Sequence, residues 1–177
     1  DGNTAVGYVS LNANTTGASN VAIGKDALKA NTTASGNVAI GCRSLDSNTT
    51  GSTNTAIGGG TMRATTTQTE NTAVGSTALN GNTGNCNTGI GASALENVTG
   101  DSNTAVGRRA LYLNTSGTEN VAVGSGALDS NTTAGCNTSI GHGSMGDNTE
   151  GANNAAVGRN ALGSNTTGAS NVAVGRN

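Results

Sequence analysis

Proline, phenylalanine and tryptophan are absent, tyrosine occurs twice and histidine once. Without Pro, and with only 10% of its residues charged, the chain lacks the composition by which disordered segments stay solvated. A formal net charge of -2 supplies no basic field for a polyanion or an acidic lipid surface, so no nucleic acid is expected as a partner. No apolar run of about 18 residues is present to span a bilayer, so no membrane insertion is expected. The chain opens at Asp1 without Met and without a basic-then-apolar leader, and reads as a piece of something longer. Three cysteines, Cys42, Cys86 and Cys136, share no metal-ligand spacing.

What is present is a repeat. An asparagine recurs at Asn3, Asn20, Asn37, Asn54, Asn71, Asn87, Asn103, Asn120, Asn137, Asn154 and Asn171. Each step is 17 residues except the two that begin at Asn71 and Asn87, which are 16. Numbered from that asparagine, the unit is N-[T/V]-A-[V/I]-G-x-x-[A/S]-[L/M]-x-x-N-T-T-G-x-x. A fixed period of this length is the mark of a repeat architecture and overrides local signals.

The columns separate a candidate core from a candidate surface. Position 4 is always Val or Ile, from Val6 to Val174, and position 9 is always Leu or Met; both are expected to face inward. Positions 3 and 8 are small, which implies close approach of another backbone. Position 5 is Gly in every unit, as where φ must be positive or a neighbour leaves no room. Positions 6, 7, 10 and 11 vary freely and read as solvent-facing. Both short units lose a residue after the Leu column, one between Asn82 and Asn87 and the other between Leu95 and Asn97, so that segment is the length-tolerant loop.

A 17-residue unit is too short for two helices, and its Gly and β-branched residues oppose one long helix. Alternation over N-T-A-V-G and again around A-L suggests two short strands per turn. The expected fold is all-β, a parallel β-solenoid of about ten 17-residue turns, continuous over residues 1–177. Ladder hydrogen bonds, small-residue packing and further burial must add to the thin core, which suggests a trimer or a lateral partner and leaves a lone narrow solenoid open. The array begins mid-unit at Asp1-Gly2 and stops mid-unit at Asn177, which suggests uncapped turns that continue in a longer chain or by end-to-end assembly.

NVAIG and NTAVGxxAL resemble the head repeats of trimeric autotransporter adhesins, and NTAVGxxALxxNTTG is similar to repeats of tail-fibre-type surface proteins. The resemblance implies a left-handed β-roll, often trimeric, in an extracellular fibrous or adhesive protein on a cell or virion surface. A surface glycan or host receptor would be its partner.

Asn14, Asn31, Asn48, Asn97, Asn114, Asn131, Asn165 and Asn137 head glycosylation sequons. With 26 Asn, and Ser plus Thr near a quarter of the chain, about six or seven such triplets arise by composition alone, so their number decides nothing. Their column does carry information: seven share position 12, allowing one residue of slip at Asn97, and the unit that begins at Asn54 interrupts it with Thr65. That column is either a line of N-linked glycans or an Asn/Thr ladder bonded to local backbone. Asn82 and Asn148 lack the hydroxyl two residues on and serve as internal controls.

Catalytic chemistry finds no purchase. His142 sits in a variable column with no second His and no constant carboxylate beside it, so neither a triad nor a zinc site is expected. Gly58-Gly59-Gly60-Thr61 lacks the Lys of a phosphate loop and reads as the constant Gly plus two variable positions. The acidic residues are scattered, which does not suggest a calcium ladder. Cys86 and Cys136 lie three turns apart, roughly 14 Å, too far for a disulfide. No catalytic residue, cofactor or metal ligand is assigned. The expected function is a structural fibre shaft or spacer; the alternative is ice or carbohydrate recognition by Thr/Asn ladders.

Overall fold

The computed structural model describes residues 2–176; Asp1 and Asn177, the two ends of the array, lie outside the described residues. Eleven strands of three residues each are present: β1 Thr4–Val6, β2 Val21–Ile23, β3 Val38–Ile40, β4 Thr55–Ile57, β5 Thr72–Val74, β6 Thr88–Ile90, β7 Thr104–Val106, β8 Val121–Val123, β9 Thr138–Ile140, β10 Ala155–Val157 and β11 Val172–Val174. They form one sheet in sequence order, every pair parallel and in register, so that each residue lies beside its counterpart in the next unit. The fold is an all-β solenoid of about ten turns.

Only one strand forms per turn. The second stretch, around A-L, is turn rather than strand, because the Leu or Met at position 9 takes φ between 46 and 51° in all ten units. The left-handed region costs a residue with a Cβ about 1 to 2 kcal/mol, and burying a Leu contributes roughly 1.5 to 3 kcal/mol. Leu28, Leu45, Leu79, Leu95, Leu111 and Leu128 are fully buried, so burial outweighs the backbone cost and Gly never replaces them. Positions 7 and 17 are also left-handed and exposed or half-buried, and there Gly, Asn or Asp do occur, as at Gly36, Gly60, Asp26 and Asn160.

The alternation of the strand points the other way from the expectation. Position 1 Asn and position 3 Ala face inward and are buried, whereas the Val/Ile column at position 4 faces out, with Ile23 and Ile57 37% exposed and Ile140 40%. The reason is space. A Cβ placed on Gly89, in the Ala column, would lie 3.3 Å from Cδ1 of Leu79, so the sheet sits directly on the Leu column with room for a methyl or, at Ser139, a hydroxymethyl bonded to Ser144 O. The core is therefore Leu/Met against two columns of Ala, with Ser and Thr in places.

Gly at position 5 meets two demands. Its φ is 130 to 138° in all eleven units, and a Cβ on Gly24 would lie 2.6 Å from the carbonyl oxygen of Gly41 in the next turn. Main-chain bonds also stitch the non-strand corners: Leu11 N–H donates to Ala27 O at 2.9 Å, Ala13 N–H to Lys29 O at 3.1 Å and Gly36 N–H to Ala18 O at 3.0 Å.

The two short units lack the same residue, position 14. In the second of them Val98, not Asn97, takes position 12 and is fully buried, and Asn97 occupies variable position 11. The one-residue slip expected at Asn97 is thereby corrected: Asn97 has left the column.

Candidate functional site

Three features of the surface and its lining bear on function: two asparagine columns, one uncharged sheet face, and scattered polar groups at the corners.

At position 1 the asparagines form an unbroken ladder. Asn37 N–H donates to Asn20 Oδ1 at 3.0 Å, Asn54 N–H to Asn37 Oδ1 at 2.9 Å, and the pattern runs from Asn3 to Asn171. The amide nitrogen donates in turn to the carbonyl at position 15, as Asn37 does to Gly51 O at 2.9 Å. Each side chain thus satisfies a main-chain donor and a main-chain acceptor that the narrow interior would otherwise strand.

Position 12 forms a second ladder. Asn31 Nδ2 donates to Asn14 Oδ1 at 2.8 Å and to Ala34 O at 3.1 Å; Asn48 Nδ2 donates to Asn31 Oδ1 at 3.2 Å and to Gly51 O at 2.9 Å. The ladder resumes from Asn114 through Asn131 and Asn148 to Asn165. Thr65 and Val98 interrupt it, and Asn48 Oδ1, facing Thr65, is buried without a partner.

These positions sort the sequons. Asn31, Asn48, Asn114, Asn131 and Asn137 are fully buried, and Asn14 and Asn165, in the outermost turns, are half-buried. A sugar on any of the five would have to occupy the interior of the turn, so the geometry of the folded rod realises the ladder reading for that column. Asn97 alone among the eight is exposed. The controls Asn82 and Asn148 are buried like their neighbours, which explains why the column persists where the sequon does not. The signal for inward placement was present in the sequence as Thr65 and Val98, residues of similar bulk standing in for Asn where a solvent-facing position would accept any polar residue.

No family model, curated protein or solved structure matches the chain. Function rests on geometry alone.

The sheet face outside the rod presents positions 2 and 4, which hold Thr, Val or Ala and Val or Ile respectively, with no charged residue in either column. Position 13 carries a Thr in every complete unit, and in seven of them the hydroxyl donates to the next turn, as Thr15 Oγ1 does to Thr32 O at 2.9 Å and Thr115 Oγ1 to Thr132 O at 3.0 Å.

Among the described residues no three His, Cys, Asp or Glu side chains gather to hold a metal, and no helix is long and apolar enough to cross a membrane. His142 is exposed and lines a shallow groove with Arg108, Arg109, Ser125 and Asp129. Within that groove Arg109 Nη2 pairs with Asp129 Oδ2 at 3.2 Å and its guanidinium lies 4.5 Å from the Tyr112 ring centre. Partial burial pushes the Asp129 carboxyl above the usual range against the pull of Arg109, and Asp129 Oδ1 finds no partner. Gly58, Gly59 and Gly60 fall at positions 5, 6 and 7 of their unit, and the Thr61 hydroxyl donates to Gly75 O at 2.7 Å. The cysteines are free and exposed. Hydrogen bonds to Glu70 and to Glu119 raise the Cys86 and Cys136 thiols above the ordinary thiol range.

Proposed function

We propose that the chain is a stretch of extracellular fibre shaft, a spacer whose contribution is length, stiffness and a repetitive surface, assembling with copies of itself. One observation carries this: the most constant columns, Asn at position 1, Gly at position 5, Leu or Met at position 9 and Asn at position 12, are consumed in building the turn, the constant outward column at position 4 holds only Val or Ile, and the titratable side chains vary from unit to unit. A catalytic or binding module invests its invariant residues the other way, in a cleft. Stacked turns advance about 4.8 Å each, giving a rod of roughly 50 Å. The test is to insert or delete whole 17-residue units and measure the rod by electron microscopy or solution scattering. A change of about 4.8 Å per unit, with surface attachment or fibre span scaling accordingly, supports the spacer. Biological activity unaffected by length, and abolished by a single surface substitution, contradicts it.

A second reading, recognition of ice or of a carbohydrate, is favoured by the flat uncharged face, where outward residues repeat about 6.8 Å along the strand and 4.8 Å across strands. The buried asparagine ladders cannot contribute to it, so it would rest on positions 2 and 4. An ice-recrystallisation assay and a glycan array without response eliminate it.

A further inference from the structure

The outer sheet face carries no charge at positions 2 and 4 along the whole rod. It is eleven strands long, and the aliphatic column at position 4 stays 36 to 40% exposed at Ile23, Ile57, Ile90, Val123 and Val157 although each is flanked by its neighbours in the ladder. What remains open is the outward surface itself. Eleven strands of three residues cover roughly 500 Å² at standard spacings, about 1,000 Å² for a pair of such faces, which reaches the lower bound of a specific interface. An uncharged face of that size, Val or Ile at position 4 beside Thr, Val or Ala at position 2, matches the largest patch of a typical soluble monomer, and such patches often serve an interaction.

The borders of that face differ in sign. On the side where the chain leaves the strand stand Lys25, Arg108 and Arg159, all exposed; on the side where it enters stand Glu70, Asp101 and Glu119, also exposed. This asymmetry discriminates between packings. If two faces meet about a two-fold axis along the rods, strand directions oppose and each acidic border lies over a basic one. If the rods are antiparallel, strand directions coincide and acid meets acid. At zero stagger the parallel pair also matches locally, because Asp101 precedes β7 and Arg108 follows it, so Arg108 faces Asp101 of the partner subunit, with Glu119 one turn away. A second copy alone shares the 4.8 Å repeat over the whole length.

We propose that this face is the docking surface for a second copy of the same chain, in a parallel, in-register, two-fold pair. The proposal deepens the spacer reading by naming its partner, and rests on it only for biological meaning. Three-fold assembly would require two contact surfaces on each chain, and the position 10 column on another side carries mixed charges, Lys29, Asp46, Arg63 and Glu96 among them.

Sedimentation equilibrium at micromolar concentration should give twice the 17.0 kDa of one chain. Ile57→Lys with Ile90→Lys should weaken association at least 100-fold while circular dichroism and melting temperature are retained. Arg108→Glu alone should weaken it about 10-fold, and mixing that variant with Asp101→Arg should restore pairing. Because substitutions on the face could also disturb folding, orientation is read separately from a nitroxide at Tyr8→Cys with the native cysteines changed to Ser. A spin–spin distance of about 20 to 30 Å marks the parallel pair, and about 50 Å the antiparallel one. A single-chain mass, a three-chain mass or the long distance overturns the proposal, and each leaves the length test of the spacer intact.

Discussion

The two asparagine columns are chemically the same residue in the same rod, yet position 1 is Asn in eleven units and position 12 tolerates Thr65 and Val98. The difference lies in what the backbone needs. At position 1 the main-chain N–H has no carbonyl within reach and depends on the Oδ1 of the preceding turn, as Asn87 N–H does on Asn71 Oδ1 at 2.9 Å. At position 12 the main-chain N–H is already satisfied within its own turn, as Asn31 N–H is by Leu28 O at 3.2 Å. Losing the first strands a buried main-chain donor. Losing the second strands only a side-chain oxygen, as at Asn48. A side chain is irreplaceable here when it alone completes a main-chain group, and replaceable when the main-chain group it reaches has a second partner, as Ala34 O has in Asn20.

The sharpest way to break that comparison is to truncate one member of each column. Asn87→Ala removes the acceptor for Asn103 N–H and Nδ2, and its own donation to Gly100 O. With two or three buried groups stranded at about 1 to 3 kcal/mol each, a loss near 4 kcal/mol is expected in denaturant unfolding. Asn131→Ala removes only the donations to Asn114 Oδ1 and Ala134 O and the acceptor for Asn148, and should cost about half as much, roughly 2 kcal/mol. Equal losses in the two variants would dissolve the distinction.

Repairing the interrupted column tests it in the other direction. Thr65→Asn would place an amide donor against the orphaned Asn48 Oδ1 and should stabilise the rod by about 1 kcal/mol, read as a higher denaturation midpoint. No gain, or a loss, would mean that the Thr65 site has already relaxed around its smaller side chain.

Groups outside the ladders should matter least. Asp129 has its folded pKa raised by burial, so the folded state binds the proton more tightly than the unfolded chain does, and stability falls as pH rises from the ordinary carboxylate range through the raised value. Asp129→Asn should abolish that pH dependence while changing stability near neutrality by only about 0.5 kcal/mol, as for other partly exposed ion pairs. The exposed thiols report on chemistry rather than stability. Alkylation of Cys86 and Cys136 should reach its midpoint at higher pH than a free thiol, and Glu70→Gln and Glu119→Gln should each lower the midpoint of the neighbouring cysteine toward the ordinary value.

Much of the fold was legible because a 17-residue period leaves few architectures, and because constant Gly at position 5 announces both a positive φ and a close neighbour. The facing of the strand was not. Val and Ile at position 4 are the most hydrophobic constant residues beside the Leu column, and assigning them inward follows from hydrophobicity taken alone. The small residues at position 3 held the contrary information: Ala gives way there only to Gly89 and Ser139, because Leu79 and its equivalents leave little further space. The turn at position 9 was illegible for the opposite reason, since Leu gives no local hint of a left-handed backbone when burial sets its identity. In the asparagine columns the ladder was readable from their constancy, whereas the exit of Asn97 from its column depended on recognising Val98 as its replacement.

The central claim is that the sequon-bearing asparagines of position 12 are part of the rod's interior framework. Hydrogen exchange at the side-chain amides, followed by NMR in the assigned protein, tests it most directly. The account predicts that the amides of Asn31, Asn48, Asn114 and Asn131 exchange as slowly as those of the position 1 ladder, and that Asn97 exchanges at the rate of an open side chain. Rapid exchange along the whole position 12 column, equal to that of Asn97, would contradict it.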